Sequence, residues 1–213
     1  IRDCVNFIKK RTGHVVDLEF ESMPLDDKAV SDMLCNGGTF GVFQMESAGM
    51  TELVKKLQPK TYFDLVPLVA LYRPGPLGSG MVDDFVERRH GRQKITYMHP
   101  WLEPILKETY GVILYQEQVM QIVQKLGNFT LGEADLMRRA MGHKEPELLM
   151  AQEEKFVKGC LANHIDEALS RKIFELMLQF ASYGFNKSHS AAYAFVAYQT
   201  AYLKAHYPCE YMA

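Results

Sequence analysis

Apolar positions recur at helical spacing over most of this chain, and polar or glycine-rich stretches separate the periodic segments. Ile1 to Arg11 reads as the end of a helix closed by Gly13. Val15 to Phe20 is short and extended. Asp26 is expected to cap a helix carrying Val30, Met33 and Leu34 that ends near Gly37 and Gly38. Met50, Leu53, Val54 and Leu57 fall at i, i+3, i+4 and i+7, which predicts a helix stopped by Pro59. Phe63 to Tyr72 is apolar but contains Pro67, so a helix kinks or starts there. Arg73-Pro74-Gly75-Pro76 has the composition of a turn.

Val112 to Tyr115 is a candidate strand or extended piece. From Glu117 a helix is expected with Val119, Ile122, Val123 and Leu126 on one face. Thr130 and Glu133 have the spacing of a capping box, so a helix should open there, run through Ala140 and end at Gly142. Pro146 fits the first turn of the next helix, and Ser170 precedes another that turns Ile173, Phe174 and Met177 inward. Ala191 to Ala205 is apolar on nearly every side and should be buried in the full protein. The sum is a mainly α fold: a multi-helix domain with at most one or two short strand pairs. No internal repeat or low-complexity stretch interrupts it.

Composition narrows the class. Lys plus Arg number 24 against 26 Asp plus Glu, a net charge of −2, with 47% hydrophobic and 23% charged residues among 213. That balance excludes a disordered tail, a collagen-like repeat and a strongly basic nucleic-acid coat protein. A local basic patch on a neutral chain stays open. Cys4, Cys35, Cys160 and Cys209 form no CxxC pair and suggest reduced thiols in a cytoplasmic protein. His206 and Cys209 lie three apart but lack two further ligands for a zinc site. There is no run of about 18 apolar residues, so no membrane span is expected, and no signal peptide opens the chain. Opening at Ile1 and closing on an apolar helix, the chain reads as a segment of a longer protein.

The densest polar run is Asp135 to Lys144. Arg138 and Arg139 are neighbours on a helix, so they diverge by about 100° and can grip two sides of one anion. Each guanidinium fork matches phosphate oxygens; the alternative is a solvated basic face paired with Asp135. The second run is Tyr183 to Tyr193, joining two helices. Ser188 or Ser190 would cap the second helix and leave its N–H groups for an anion, with Lys187 a phosphate contact and His189 a sugar contact. The alternative is a capped loop with an exposed lysine. Ser47, within Gly41 to Met50, reads as a helix cap. Arg88, Arg89, Arg92 and Lys94 cluster near a turn, as a solvated face or as contacts to a nucleic-acid backbone.

No Walker A loop, GxGxxG or nucleophile motif occurs. Asp26–Asp27 and Asp83–Asp84 are the only paired aspartates, and both read as caps or surface charge. The pattern suggests anion binding without clustered carboxylates to hold metal ions.

Five phrases carry a resemblance: Gly-Val-Phe-Gln-Met-Glu-Ser-Ala-Gly-Met (41–50), Ala-Leu-Tyr-Arg-Pro-Gly-Pro-Leu (70–77), Thr-Tyr-Gly-Val-Ile-Leu-Tyr-Gln-Glu-Gln-Val-Met (109–120), Ala-Asp-Leu-Met-Arg-Arg-Ala-Met-Gly (134–142) and Tyr-Gly-Phe-Asn-Lys-Ser-His-Ser-Ala-Ala-Tyr (183–193). In order and spacing they resemble the alpha subunits of bacterial DNA polymerase III, the C-family replicative polymerases, over essentially the whole chain. Within that family they look like the main replicative form, unlike the error-prone paralogue or the exonuclease-containing form.

The resemblance implies a fingers domain. Residues 1–22 would be the end of the palm or a connector, and 23–213 the fingers, truncated at the C-terminus, with a subdivision near 95–110. The parent would be a DNA-directed DNA polymerase, a nucleotidyltransferase whose palm aspartates bind two Mg2+ ions. This segment would contribute no catalytic residue and no metal ligand, and alone would be inactive. By likeness, Arg138 and Arg139 would hold the triphosphate of the incoming deoxynucleoside triphosphate (dNTP), with Lys144 as a further contact. Tyr183, Lys187 and His189 would lie by the nascent base pair and sugar, and His189 would exclude ribonucleotides. Arg73 would support a loop near the active site or be structural, and it joins Arg88, Arg89, Arg92 and Lys94 as candidate contacts to DNA, the last four with template or duplex backbone. The implied partners are dNTP, primer-template DNA, the palm of the same polypeptide and, through regions beyond this segment, the sliding clamp; no membrane is implied. The family usually has Gly-Lys-Lys where this chain has Gly142-His143-Lys144; a histidine with a pKa of about 6.5 is largely neutral at pH 7. Pro67 also departs from the family's usual alanine. The competing expectation is a helical protein-interaction module without nucleotide contact.

Overall fold

The computed structural model describes residues 1–143, 146–181 and 184–213, with side chains described outside 141–149 and 181–183. In chain order its helices are α1 (Arg2–Thr12), α2 (Lys28–Cys35), α3 (Ala48–Leu57), α4 (Tyr62–Leu71), α5 (Pro74–Gly78), α6 (Met81–Arg89), α7 (Glu103–Leu106), α8 (Gln116–Gly127), α9 (Leu131–His143), α10 (Pro146–Ala162), α11 (Glu167–Ala181), α12 (Lys187–His206) and α13 (Pro208–Met212). Short 3-10 turns at Pro100–Leu102 and Lys107–Thr109 flank α7. Among the described residues the β content is a single parallel bridge, Tyr115 to Phe185, so the fold is mainly α. The chain divides into two compact units: Ile1–Tyr72 with Ser188–Ala213, and Arg73–Lys187.

In the first unit, α1 ends on Gly13 at φ 71°, whose N–H donates to Lys9 O at 2.9 Å. A left-handed residue there lets the chain leave the helix while satisfying a terminal carbonyl. The cap of α2 is Asp27 and not Asp26: its Oδ1 accepts the Val30 N–H at 3.0 Å. Both aspartates have the chemistry, and only backbone geometry separates them. Ser47 caps α3 as expected, accepting the Met50 N–H at 3.4 Å, and the four apolar residues of that helix are buried. Helix α4 runs through Pro67 instead of starting at it. The proline costs one backbone bond, but Leu65, Val66, Leu68, Ala70 and Leu71 are all buried around it, at about 1.5–3 kcal/mol for each large side chain. On α12, the Tyr198 hydroxyl donates to Pro24 O at 2.8 Å and accepts the Asp27 N–H at 3.0 Å; burial pushes its pKa up to about 12.

In the second unit, the expected turn after Arg73 winds into the single helical turn of α5, with Pro74 at its first position, where no N–H is needed. Leu126, Met137, Phe156, Cys160 and Phe174 belong to one core drawn from α8, α9, α10 and α11. The capping box opens α9: Thr130 N–H reaches Glu133 Oε2 at 2.9 Å and Glu133 N–H reaches Thr130 Oγ1 at 3.3 Å. That helix continues past Ala140 and takes in Gly142. The cap of α11 is Asp166, which accepts the Leu169 N–H at 3.1 Å. Ser170 lies inside the helix, buried, donating back to Asp166 O at 2.8 Å.

Candidate functional site

The second unit gathers several of the expected residues around the start of α8. The extended stretch before it is fixed by Gln118, whose Oε1 accepts the N–H groups of Leu114 (2.8 Å) and Tyr115 (3.0 Å). Its Nε2 donates to Thr109 Oγ1 at 2.8 Å, so this buried amide is fully used. With 112–115 held, Tyr115 bridges Phe185, and the Gln116 N–H donates to Phe185 O at 2.9 Å.

Gln116 joins two of the polar runs. Its Nε2 donates to Gly184 O at 3.3 Å, and its Oε1 accepts from Arg138 Nη1 at 3.4 Å. Arg138 on α9 and the 184–187 segment therefore meet on one side chain. Glu117 completes the attachment. Its carboxylate accepts the Asn186 side-chain amide at 2.9 Å and the Lys187 N–H at 3.1 and 3.0 Å. The first N–H of α12 is thus taken by Glu117, and neither Ser188 nor Ser190 caps the helix; Ser190 is buried, and its Oγ has no hydrogen-bond partner among the described residues.

Arg138, Arg139 and Lys187 each face a carboxylate. Asp135 Oδ1 takes Arg138 Nε at 2.9 Å and Nη2 at 2.8 Å, and Asp135 Oδ2 takes Arg139 Nε at 2.9 Å. The Arg138 guanidinium, with Arg139 adding to it, holds the Asp135 carboxyl below its ordinary value. Lys187 Nζ sits 2.9 and 2.6 Å from the two oxygens of Glu108 and 5.7 Å from the centre of the Tyr115 ring. Arg73 lies over Phe185, its Cζ 4.2 Å from the ring centre, and burial lowers its pKa from the ordinary arginine value. Lys144 and Tyr183 lie outside the described residues. His189 belongs to the first unit, where its ring stacks on Tyr193 at 4.1 Å between centres and Tyr193 meets Phe43 at 5.6 Å.

The other basic cluster is less uniform than its sequence. Arg88 is turned inward with 14% of its side chain exposed, donating to Asp84 Oδ2 at 3.1 Å and Tyr110 O at 3.3 Å. Arg89 donates to the Tyr110 hydroxyl at 3.3 Å. Arg92 forks onto Glu87 with two bonds of 2.7 Å and holds that carboxyl low. Lys94 is exposed. Among the described residues no group of three His, Cys, Asp or Glu side chains could hold a metal ion. His206 pairs with Asp27 at 3.0 Å. Among the described residues no helix is long and apolar enough to cross a membrane.

Gln116, Glu117 and Glu108 were not singled out by sequence pattern. The one signal for Gln116 and Glu117 is the polar Gln-Glu-Gln run at 116–118, opening a helix otherwise read only for its apolar face, and Glu108 lies outside that run.

Comparison with known proteins places this chain in a family. The model of the family described as bacterial DNA polymerase III alpha subunit finger domain matches residues 1–164. The chain is 56% identical over 201 residues to DNA polymerase III subunit alpha of Escherichia coli (strain K12), covering 92% of this chain and 17% of that protein. It is 56% identical over 203 residues to the protein of the same name from Pseudomonas aeruginosa, covering 93% of this chain and 17% of that protein. For the Aquifex aeolicus protein the figures are 52% over 206 residues, 97% and 18%. The chain thus spans under a fifth of the length of these relatives. With the family model covering most of the chain, it belongs to the finger domains of bacterial DNA polymerase III alpha subunits.

Proposed function

We propose that this domain binds the triphosphate of the incoming dNTP and helps position primer-template DNA for nucleotidyl transfer. The observation that carries the reading is the junction at Gln116, which brings Arg138 to the segment leading into Lys187. Arg138 and Arg139 would bind phosphate oxygens through their forks, and Lys187 would add a mobile point charge. Lys144 and Tyr183 are assigned to the same task by resemblance alone. His189 would face the sugar and Arg73 would brace Phe185. Lys94 and Arg89 would meet DNA backbone, with Arg88 and Arg92 held back by their own partners. Concentrating positive charge where phosphate charge redistributes is the protein's main lever in phosphoryl and nucleotidyl transfer.

The parent polypeptide would be a DNA-directed DNA polymerase acting in the bacterial cytoplasm. Its palm would supply the Mg2+ ligands, its C-terminal regions would reach the sliding clamp, and this segment alone would not polymerise. The interaction-module reading draws on the self-paired charges of the site, and one measurement separates the two. In a complete alpha subunit carrying this segment, Arg138→Ala should raise the dNTP KM about tenfold or more, as for a lost charge-assisted hydrogen bond, with DNA affinity almost unchanged. An unaltered KM favours the module.

A further inference from the structure

We propose that Asp135 sets the nucleotide affinity of this site by competing with the triphosphate for both guanidinium forks. The proposal rests on the reading of Arg138 and Arg139 as phosphate ligands. A guanidinium binds an oxyanion best through its Nε and Nη2 edge, which presents two parallel N–H groups. On Arg138 that edge is engaged by Asp135 Oδ1, at 2.9 and 2.8 Å. The other oxygen engages Arg139 Nε at 2.9 Å. One carboxylate, three and four residues back along the same helix, therefore bonds to both arginines. A phosphate that needs either edge must displace it.

The balance suits exchange. Asp135 and Arg138 are about one-third exposed and Arg139 is 63% exposed, so water screens the contacts. Pairs of this kind are worth little, on the order of a fraction of a kcal/mol to 1 kcal/mol. A triphosphate brings several charges and more oxygens, enough to take the forks, while Asp135 remains beside it as a like charge. The same opposition falls on pyrophosphate, which must leave after transfer, so the carboxylate trades affinity for release. Lys187 repeats the arrangement with Glu108, at 2.9 and 2.6 Å. Asp135 acts through the arginines and is a positioning residue.

The test is single-nucleotide incorporation by a complete alpha subunit carrying this segment. Asp135→Asn should lower the dNTP KM about two- to fivefold, leave kcat unchanged or reduced, and lower the inhibition constant of inorganic pyrophosphate by a similar factor. Asp135→Glu, which restores the charge, should move both constants back up. A KM at or above the wild-type value in Asp135→Asn overturns the proposal, since that is what loss of a merely organising contact gives. Asp135→Ser carries the same test if Asp135→Asn does not fold. Arg138→Ala run in parallel separates the two claims. If it raises KM while Asp135→Asn does not lower it, the competitor role alone falls. If it leaves KM unchanged, the phosphate reading falls and the proposal with it.

Discussion

Glu133 shows how one carboxylate can hold two helices. It closes the capping box of α9 with Thr130 and reaches Lys155 on α10. The Lys155 ammonium, followed by the Thr130 N–H and hydroxyl, holds its pKa at about 2, against about 4.3 for an unperturbed glutamate. A depressed carboxyl contributes stability that is complete above the unfolded pKa and is lost as pH falls through the folded one. Glu133→Gln should therefore lower the urea midpoint of the 213-residue chain at pH 7. The gap from wild type should narrow from about pH 4.3 down to about pH 2; a gap that stays constant over that range would contradict the assignment. The box itself was legible, because the Thr-x-x-Glu spacing is local. Lys155 was not, since nothing in the chain's order pairs residue 133 with residue 155. The same limit applies at α2 and α11. At α2 the sequence offers two adjacent aspartates, and at α11 it points to Ser170; only the backbone path selects Asp27 and Asp166.

Between elements, the approach of α8 and α10 depends on missing side chains. A Cβ on Gly159 would stand 1.9 Å from the carbonyl oxygen of Gly127, and a Cβ on Gly127 would stand 2.6 Å from a Phe156 ring carbon. Backbone cannot swing aside as a flexible side chain can, so the helices would have to separate and loosen the core that Phe156 and Cys160 share. Gly159→Ala should destabilise the chain by about 1–3 kcal/mol despite alanine's better helix propensity, read as a drop in the urea midpoint. An equal or higher midpoint would show that the contact yields. Helix existence and apolar faces were legible here for α3 and α8, because periodicity is a property of neighbours in sequence, and α9 was legible from its capping box. Closeness of two glycines more than thirty positions apart is a property of packing, and Gly127 and Gly159 look in sequence like ordinary breaks.

Across the molecule, charge is spent largely on itself. The net of −2 hides arginines already bound to Asp84, Glu87 and Asp135. If the stretch near 88–94 meets DNA backbone, its members should count unequally. In the complete subunit, Lys94→Ala should reduce the slope of log affinity against log salt by about 1, and Arg92→Ala by clearly less, because its fork is closed on Glu87. Equal changes in slope would contradict that ranking. By itself the sequence determined the helical class, the caps at Gly13, Ser47 and Thr130, the arginine pair on α9 and the polar run leading into α12, because each is written in residues close along the chain. Only the tertiary structure decided which of those groups meet. Gln116 joins Arg138 to Gly184, Glu117 takes the first N–H of α12, and Asp135 and Glu108 hold the cations. The physical reason is that hydrogen bonds and ion pairs act over about 3 Å of space, whereas sequence order fixes distance only over the few residues of a turn.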